Sequence, residues 1–173
     1  MKKFMFGFAS AIALIALLGF GYVGLGLAPV ATVSSPLPLE KLITGIALHA
    51  RVNKEAPKSS PILASDEVYA AGAVIYWNNC AVCHGLPGRD PTAIAKGEFP
   101  KPPQLFKGMG VTDDPAGVTY WKVANGIRLT GMPGYSGSLS SDQMWQVSLL
   151  LANADKLPTN VLNTLQQPFH ENE

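Results

Sequence analysis

Cys80-Ala81-Val82-Cys83-His84 places two thiols and an imidazole within one short run of chain. The C-x-x-C-H spacing suits covalent attachment of a c-type haem. Two thiols add across the two vinyl groups of one porphyrin, and two intervening residues let both sulfurs reach the same ring edge. His84 follows at the position from which an imidazole nitrogen can take an axial site on iron. The motif uses both cysteines of the chain. A bare C-x-x-C also fits a thioredoxin-like redox pair or half of a zinc site. A tetrahedral zinc site usually draws on a second Cys or His pair, and the other histidines, His49 and His170, are isolated. A thioredoxin-like pair asks for a βαβ pattern, and no strand alternation surrounds the motif.

An iron that changes oxidation state with little rearrangement is ligated on both faces, and a thioether opposite the imidazole raises its reduction potential. Of five methionines, Met1 and Met5 belong to an apolar N-terminal run. Met144 falls in a helical apolar stripe and reads as core. Met109 lies between Gly108 and Gly110. Met132 sits in Thr130-Gly131-Met132-Pro133-Gly134-Tyr135, where Gly and Pro permit a tight loop presenting the sulfur. Met132 is the expected second axial ligand, with Met109 as its rival.

Helices must position these groups. Ser65 can cap a helix whose first turn carries Asp66 and Glu67, running to about Asn79 and delivering Cys80. Gly72, Tyr76 and Cys80 share a face at spacings of four. From Gly85 to Val111, Gly and Pro are frequent and periodicity is weak, which reads as loops that wrap the haem. Asp114 with Pro115 opens a second helix, ended by Gly126. Ser140-Ser141-Asp142-Gln143 is a capping box, with Leu139 and Met144 placed as a hydrophobic staple. The third helix runs to about Ala154, and the last residues read as a short surface helix and a frayed tail.

Lys2 and Lys3 precede an uncharged run, Phe4 to Ala28. As a helix this run spans about 37 Å, enough to cross a hydrocarbon core of roughly 30 Å. A retained anchor and a signal peptide both fit; the length of the run and Pro29 after the small-residue exit favour the anchor. Either way the lysines stay inside and the remainder is exported. Gly19-Phe20-Gly21-Tyr22-Val23-Gly24 spells G-x-G-x-x-G, but without a strand or βαβ unit it carries no nucleotide role. The expected organisation is an anchor at 1–28, a linker at 29–65 with a short amphipathic helix at 39–52, a haem domain at 66–157 and a tail at 158–173. The 39–52 helix is placed either to dock on the haem domain or to lie on the membrane surface; if wholly flexible, the linker would have an end-to-end distance of about 33 Å. Beyond the anchor the charges nearly balance, which argues against nucleic acid as a partner. Six basic residues between Gly85 and Met132 outnumber four acidic ones; they form either a steering surface or an ordinary mixed one.

These motifs resemble class I c-type cytochromes of the bacterial, membrane-anchored, mono-haem kind. The resemblance covers about residues 66–157. It rests on Cys80-x-x-Cys83-His84 behind a helix bearing Gly72 and Tyr76, on Gly131-Met132-Pro133, and on a final helix with Trp145. It implies an all-α, cytochrome c-like haem domain of three main helices with long loops, preceded by a transmembrane helix. The first and last helices of that domain would cross at Gly72, near Trp145 and Leu149. One covalent haem c would be held by Cys80 and Cys83, with His84 and Met132 on the iron and no catalytic residue. The second ring nitrogen of His84 would donate to a carbonyl in a proline loop, Pro102 or Pro103, with Pro87 as the further alternative. Arg128, Tyr120 and Trp121 are candidate donors to the propionates. The implied activity is single-electron transfer between membrane-bound redox complexes at a bacterial inner membrane, with the haem domain facing the periplasm. Two other readings stand beside it: a fixed haem subunit of a larger respiratory complex, and a haem enzyme or gas or redox sensor. The last needs an open iron position and acid–base groups over it, and no distal His, Glu or Asp beside Met132 suggests one.

Overall fold

The computed structural model describes residues 1–107 and 114–167, and all regular structure among them is helical. The chain divides into two compact units, Met1–Lys41 and Leu42–Glu173. The first contains α1 (Lys2–Gly24), which buries no residue and is long and apolar enough to cross a membrane. Its end is closed by the N–H of Leu25 donating to Gly21 O and the N–H of Gly26 donating to Val23 O.

The second unit is built on α3 (Asp66–Asn79), α6 (Ala116–Asn125) and α7 (Ser141–Ala152). Each starts where its sequence provides a start. The Ser65 hydroxyl accepts from the N–H of Val68. Pro115 stands immediately before α6. Ser140 and Gln143 form both halves of the capping box, at 3.2 and 2.8 Å. α6 ends at Gly126, whose φ of +67° is the left-handed conformation that glycine tolerates. α7 is the most buried element: Met144, Trp145, Val147, Leu149, Leu150 and Leu151 all face the interior. It packs against α3 on one side and α6 on the other. The α3–α7 crossing depends on Gly72, where a Cβ would lie 2.4 Å from the Gln146 carbonyl oxygen and 3.1 Å from Leu150 Cβ. Trp145 meets α6 by stacking on Tyr120, with centroids 4.3 Å apart.

Two features depart from the sequence reading, and a third is one of the placements it left open. The loop region after the motif contains a short helix, α5 (Ala93–Gly97), started by Thr92 Oγ1 accepting from the N–H of Ala95. The C-terminal helix α8 (Thr159–Leu165) is not a surface element: Val161 and Leu165 are fully buried against α3. It is fastened by Trp77 Nε1 donating to Gln167 O and by Arg89 donating to Gln166 O. Burial at a four-residue spacing explains why so short a helix is ordered by packing. Finally, the helix expected at 39–52 is α2 (Glu40–Glu55), and its end is not a free linker. Val52 and Ala56 are buried. Trp121 Nε1 donates to Glu55 Oε2 at 3.2 Å, and Pro57 O presses on Gly117, where no Cβ could fit.

Candidate functional site

α3 runs directly into the single turn α4 (Ala81–His84), with the N–H groups of Cys83 and His84 both donating to Cys80 O. That turn sets the two thiols and the imidazole in place. Gly85, at φ +76°, redirects the chain after it. A Cβ there would collide with Gln104 Oε1. Tyr76 is fully buried on α3 and donates through its hydroxyl to Gly85 O at 2.7 Å. Its ring meets Phe106 edge-on, at 5.1 Å between centroids. Tyr135, from the loop after Met132, donates to Asn79 O at 2.8 Å. The motif is thus held from the helix before it and from the loop beyond it.

The segment 98–106 lies along the other side of the turn. His84 Nδ1 is 2.9 Å from Pro103 O. A carbonyl only accepts, so Nδ1 carries the proton and Nε2 keeps its lone pair. Burial holds the His84 pKa below its ordinary value, against the opposing pull of the Pro103 bond and of Glu98. The imidazole is therefore neutral and in the tautomer of a metal ligand. The N–H of Leu105 donates to His84 O, and Gln104 Nε2 donates to Cys83 O at 2.9 Å.

Cys80 and Cys83 are not joined in a disulfide. Burial, with Cys83 nearby, pushes the Cys80 pKa up to about 12. Burial, with the Glu98 carboxylate accepting from the thiol at 3.2 Å, pushes Cys83 to about 11. Among the described residues no three His, Cys, Asp or Glu side chains gather as a metal-holding group.

Met132 sits on a loop built to project it. Thr130 Oγ1 donates to Ile127 O and accepts from the N–H of Met132, while Ile127 N–H donates to Met132 O. Gly126 and Gly134 let this loop close onto the end of α6: a Cβ on Gly126 would lie 2.6 Å from Gly134 N, and one on Gly134 2.9 Å from Asn125 C. Met132 and Cys80 border the same apolar cluster, together with Leu105, Phe106 and Tyr135. Glu98 lies between the motif and the methionine loop, since a Cβ on Gly131 would meet its carboxylate at 2.9–3.0 Å. Met144 is 5% exposed and belongs to the core. Met109 lies outside the described residues.

These residues fit a covalently attached haem. Two adjacent thiols and an imidazole with its Nε2 lone pair fixed stand on one turn, and Cys80 of that turn borders the same apolar cluster as the Met132 thioether on its braced loop. The expected propionate donors fit less well. Tyr120 OH is engaged with Ser141 Oγ and Trp121 Nε1 with Glu55, which leaves Arg128, exposed beside the methionine loop. Three of the six basic residues are also engaged: Lys107 pairs with Asp90, Lys122 with Asp114, and Arg89 bonds Gln166 O. Glu98, Gln104 and Tyr135 were not singled out in the sequence. Each is an ordinary polar residue in a loop, and only the fold reveals its contact.

Residues 67–149 match the sequence model of the family described as cytochrome C oxidase, cbb3-type, subunit III. The matched segment contains Cys80, Cys83, His84 and Met132. No curated protein and no solved structure gives a significant match.

Proposed function

Residues 67–149 are a class I c-type cytochrome domain, which carries covalently bound haem c and works by haem-based electron transfer, and from this we propose that the chain is a membrane-tethered carrier of single electrons. Its haem domain faces the periplasm of a bacterial inner membrane, with α1 as the anchor. Cys80 and Cys83 supply the thiols that fasten the porphyrin. His84 supplies Nε2 to one face of the iron and Met132 its thioether to the other. The haem, when bound, supplies a one-electron couple.

The chain's own residues hold that couple steady. Pro103 O fixes the His84 ring and raises its basicity. The Thr130 bonds and the close approach of Gly126 to Gly134 fix the methionine loop. Ligands held in both oxidation states keep rearrangement small, and His/Met ligation raises the potential. The observation that carries the reading is a motif turn whose His84 is locked by Pro103 and whose Cys80 borders the same apolar cluster as the braced methionine loop.

Potentiometric titration of the full-length holoprotein tests it. One reversible one-electron wave is expected, with no carbon monoxide binding to the reduced form. Ready binding would place the protein among enzymes or sensors with an open iron position.

The matched family, an oxidase subunit by its description, favours a second reading, a fixed subunit of a membrane respiratory complex. Extraction in mild detergent separates the two: a carrier elutes alone, a subunit with its complex.

A further inference from the structure

α2 has two unlike sides. Leu48 and Val52 form one side, Val52 being buried and Leu48 half-buried. Leu42, Ile43 and Ile46 form a second apolar side, still 57%, 62% and 61% exposed. At 3.6 residues per turn the two sides point roughly 150° apart. His49 and Lys54 border the exposed side, and neither carboxylate of the helix lies on it. Glu40 Oε2 accepts from the N–H of Leu37, while Glu55 is paired with Arg51 at 2.6 Å and bonded by Trp121.

We propose that the Leu42–Ile43–Ile46 side of α2 lies in the boundary between lipid headgroups and acyl chains, while its other side grips the haem domain. This rests on the reading of α1 as a retained anchor. The occupant follows from chain connectivity. Only residues 25–39 separate a membrane-length helix from α2. Fully extended they reach about 50 Å, and Pro29, Pro36 and Pro38 stiffen them. α2 therefore starts within reach of the bilayer surface. A short apolar stripe bordered by basic groups is the composition that enters a lipid surface to a shallow depth.

The haem domain is joined to the end of that same helix by Glu55–Trp121 and to the residues just after it by Pro57–Gly117, with Val52 and Ala56 buried. It is consequently held at the membrane in one orientation rather than swinging on a coil. Electron exchange is then confined to partners whose docking surface lies at that height.

Nitroxide labels at Ile46→Cys and Thr44→Cys test this in the full-length ferrous holoprotein, where Cys80 and Cys83 are consumed as thioethers. The protein is reconstituted in phosphatidylethanolamine–phosphatidylglycerol vesicles, and relaxation by oxygen and by a water-soluble nickel chelate is compared. Ile43→Cys replaces Ile46→Cys should the latter fail to retain haem. The label on the apolar side is expected to be open to oxygen and several-fold less open to nickel than the label at position 44. Equal nickel access at the two positions overturns the proposal. Exclusion of both relaxers at position 46 also overturns it, because protein would then cover that side. The intact mass of the membrane-extracted chain reads the premise separately: loss of residues 1–28 removes the anchor reading and this proposal together.

Discussion

Replacing Gly72 by Ala tests the crossing on which the haem-bearing helix is mounted. The new Cβ would sit 2.4 Å from Gln146 O and 2.8 Å from Gln146 C, both backbone atoms of α7, whereas ordinary contact begins at 3.4 Å. α3 and α7 must therefore part by about 1 Å, a gap that forfeits a quarter to a half of the dispersion attraction along the seam. Overpacking of this kind costs about 3 kcal/mol at the upper end of its usual range. Alanine returns about 1 kcal/mol through its better helix propensity. The net loss is about 2 kcal/mol, which for a domain of this size lowers the apparent Tm by about 8 °C. The assay is thermal unfolding of the holoprotein followed by far-ultraviolet circular dichroism. Gly137→Ala is the control: nothing lies within 4 Å of a Cβ there, so its effect should stay within about 0.5 kcal/mol. A Gly72→Ala protein as stable as the wild type would refute the close crossing of α3 and α7.

Three further outcomes follow from the packing. Tyr76→Phe leaves the Gly85 carbonyl without its 2.7 Å donor and should cost about 1–2 kcal/mol in the urea midpoint; Tyr135→Phe, from a less buried site, should cost less. Met144→Ala should destabilise by about 2–4 kcal/mol through a core cavity, yet leave the visible and far-red spectrum of the ferric holoprotein unchanged, because Met144 is core and not a ligand. Trp121→Phe removes the Glu55 bond and should speed proteolysis between α2 and α3, with no change in the redox wave.

The elements that carry the motif were legible because their signals are local. Ser65, Pro115 with Gly126, and the Ser140–Gln143 capping box mark helix ends through contacts made within a turn. Cys80, Cys83 and His84 declare themselves by spacing, and Met132 by its Gly–Pro setting. What escaped depends on distant partners. α8 has too few residues for periodicity to distinguish a core helix from a surface one, yet α3 buries Val161 and Leu165 completely. The Pro-rich run after α2 reads as coil, and only the missing side chain of Gly117 allows Pro57 to lie against α6. Glu98 and Gln104 occupy a loop without periodicity, and their bonds to Cys83 cross many residues of chain. Long-range contacts also engage two of the expected propionate donors, Tyr120 with Ser141 and Trp121 with Glu55.

The central claim is that His84 and Met132 hold the iron from opposite faces. Far-red absorption of the ferric holoprotein tests it most directly, compared between the wild type and Met132→Ala. The account predicts a sulfur-to-iron charge-transfer band that disappears on substitution, together with a fall in reduction potential. A band that survives Met132→Ala, or is absent from the wild type, would contradict it.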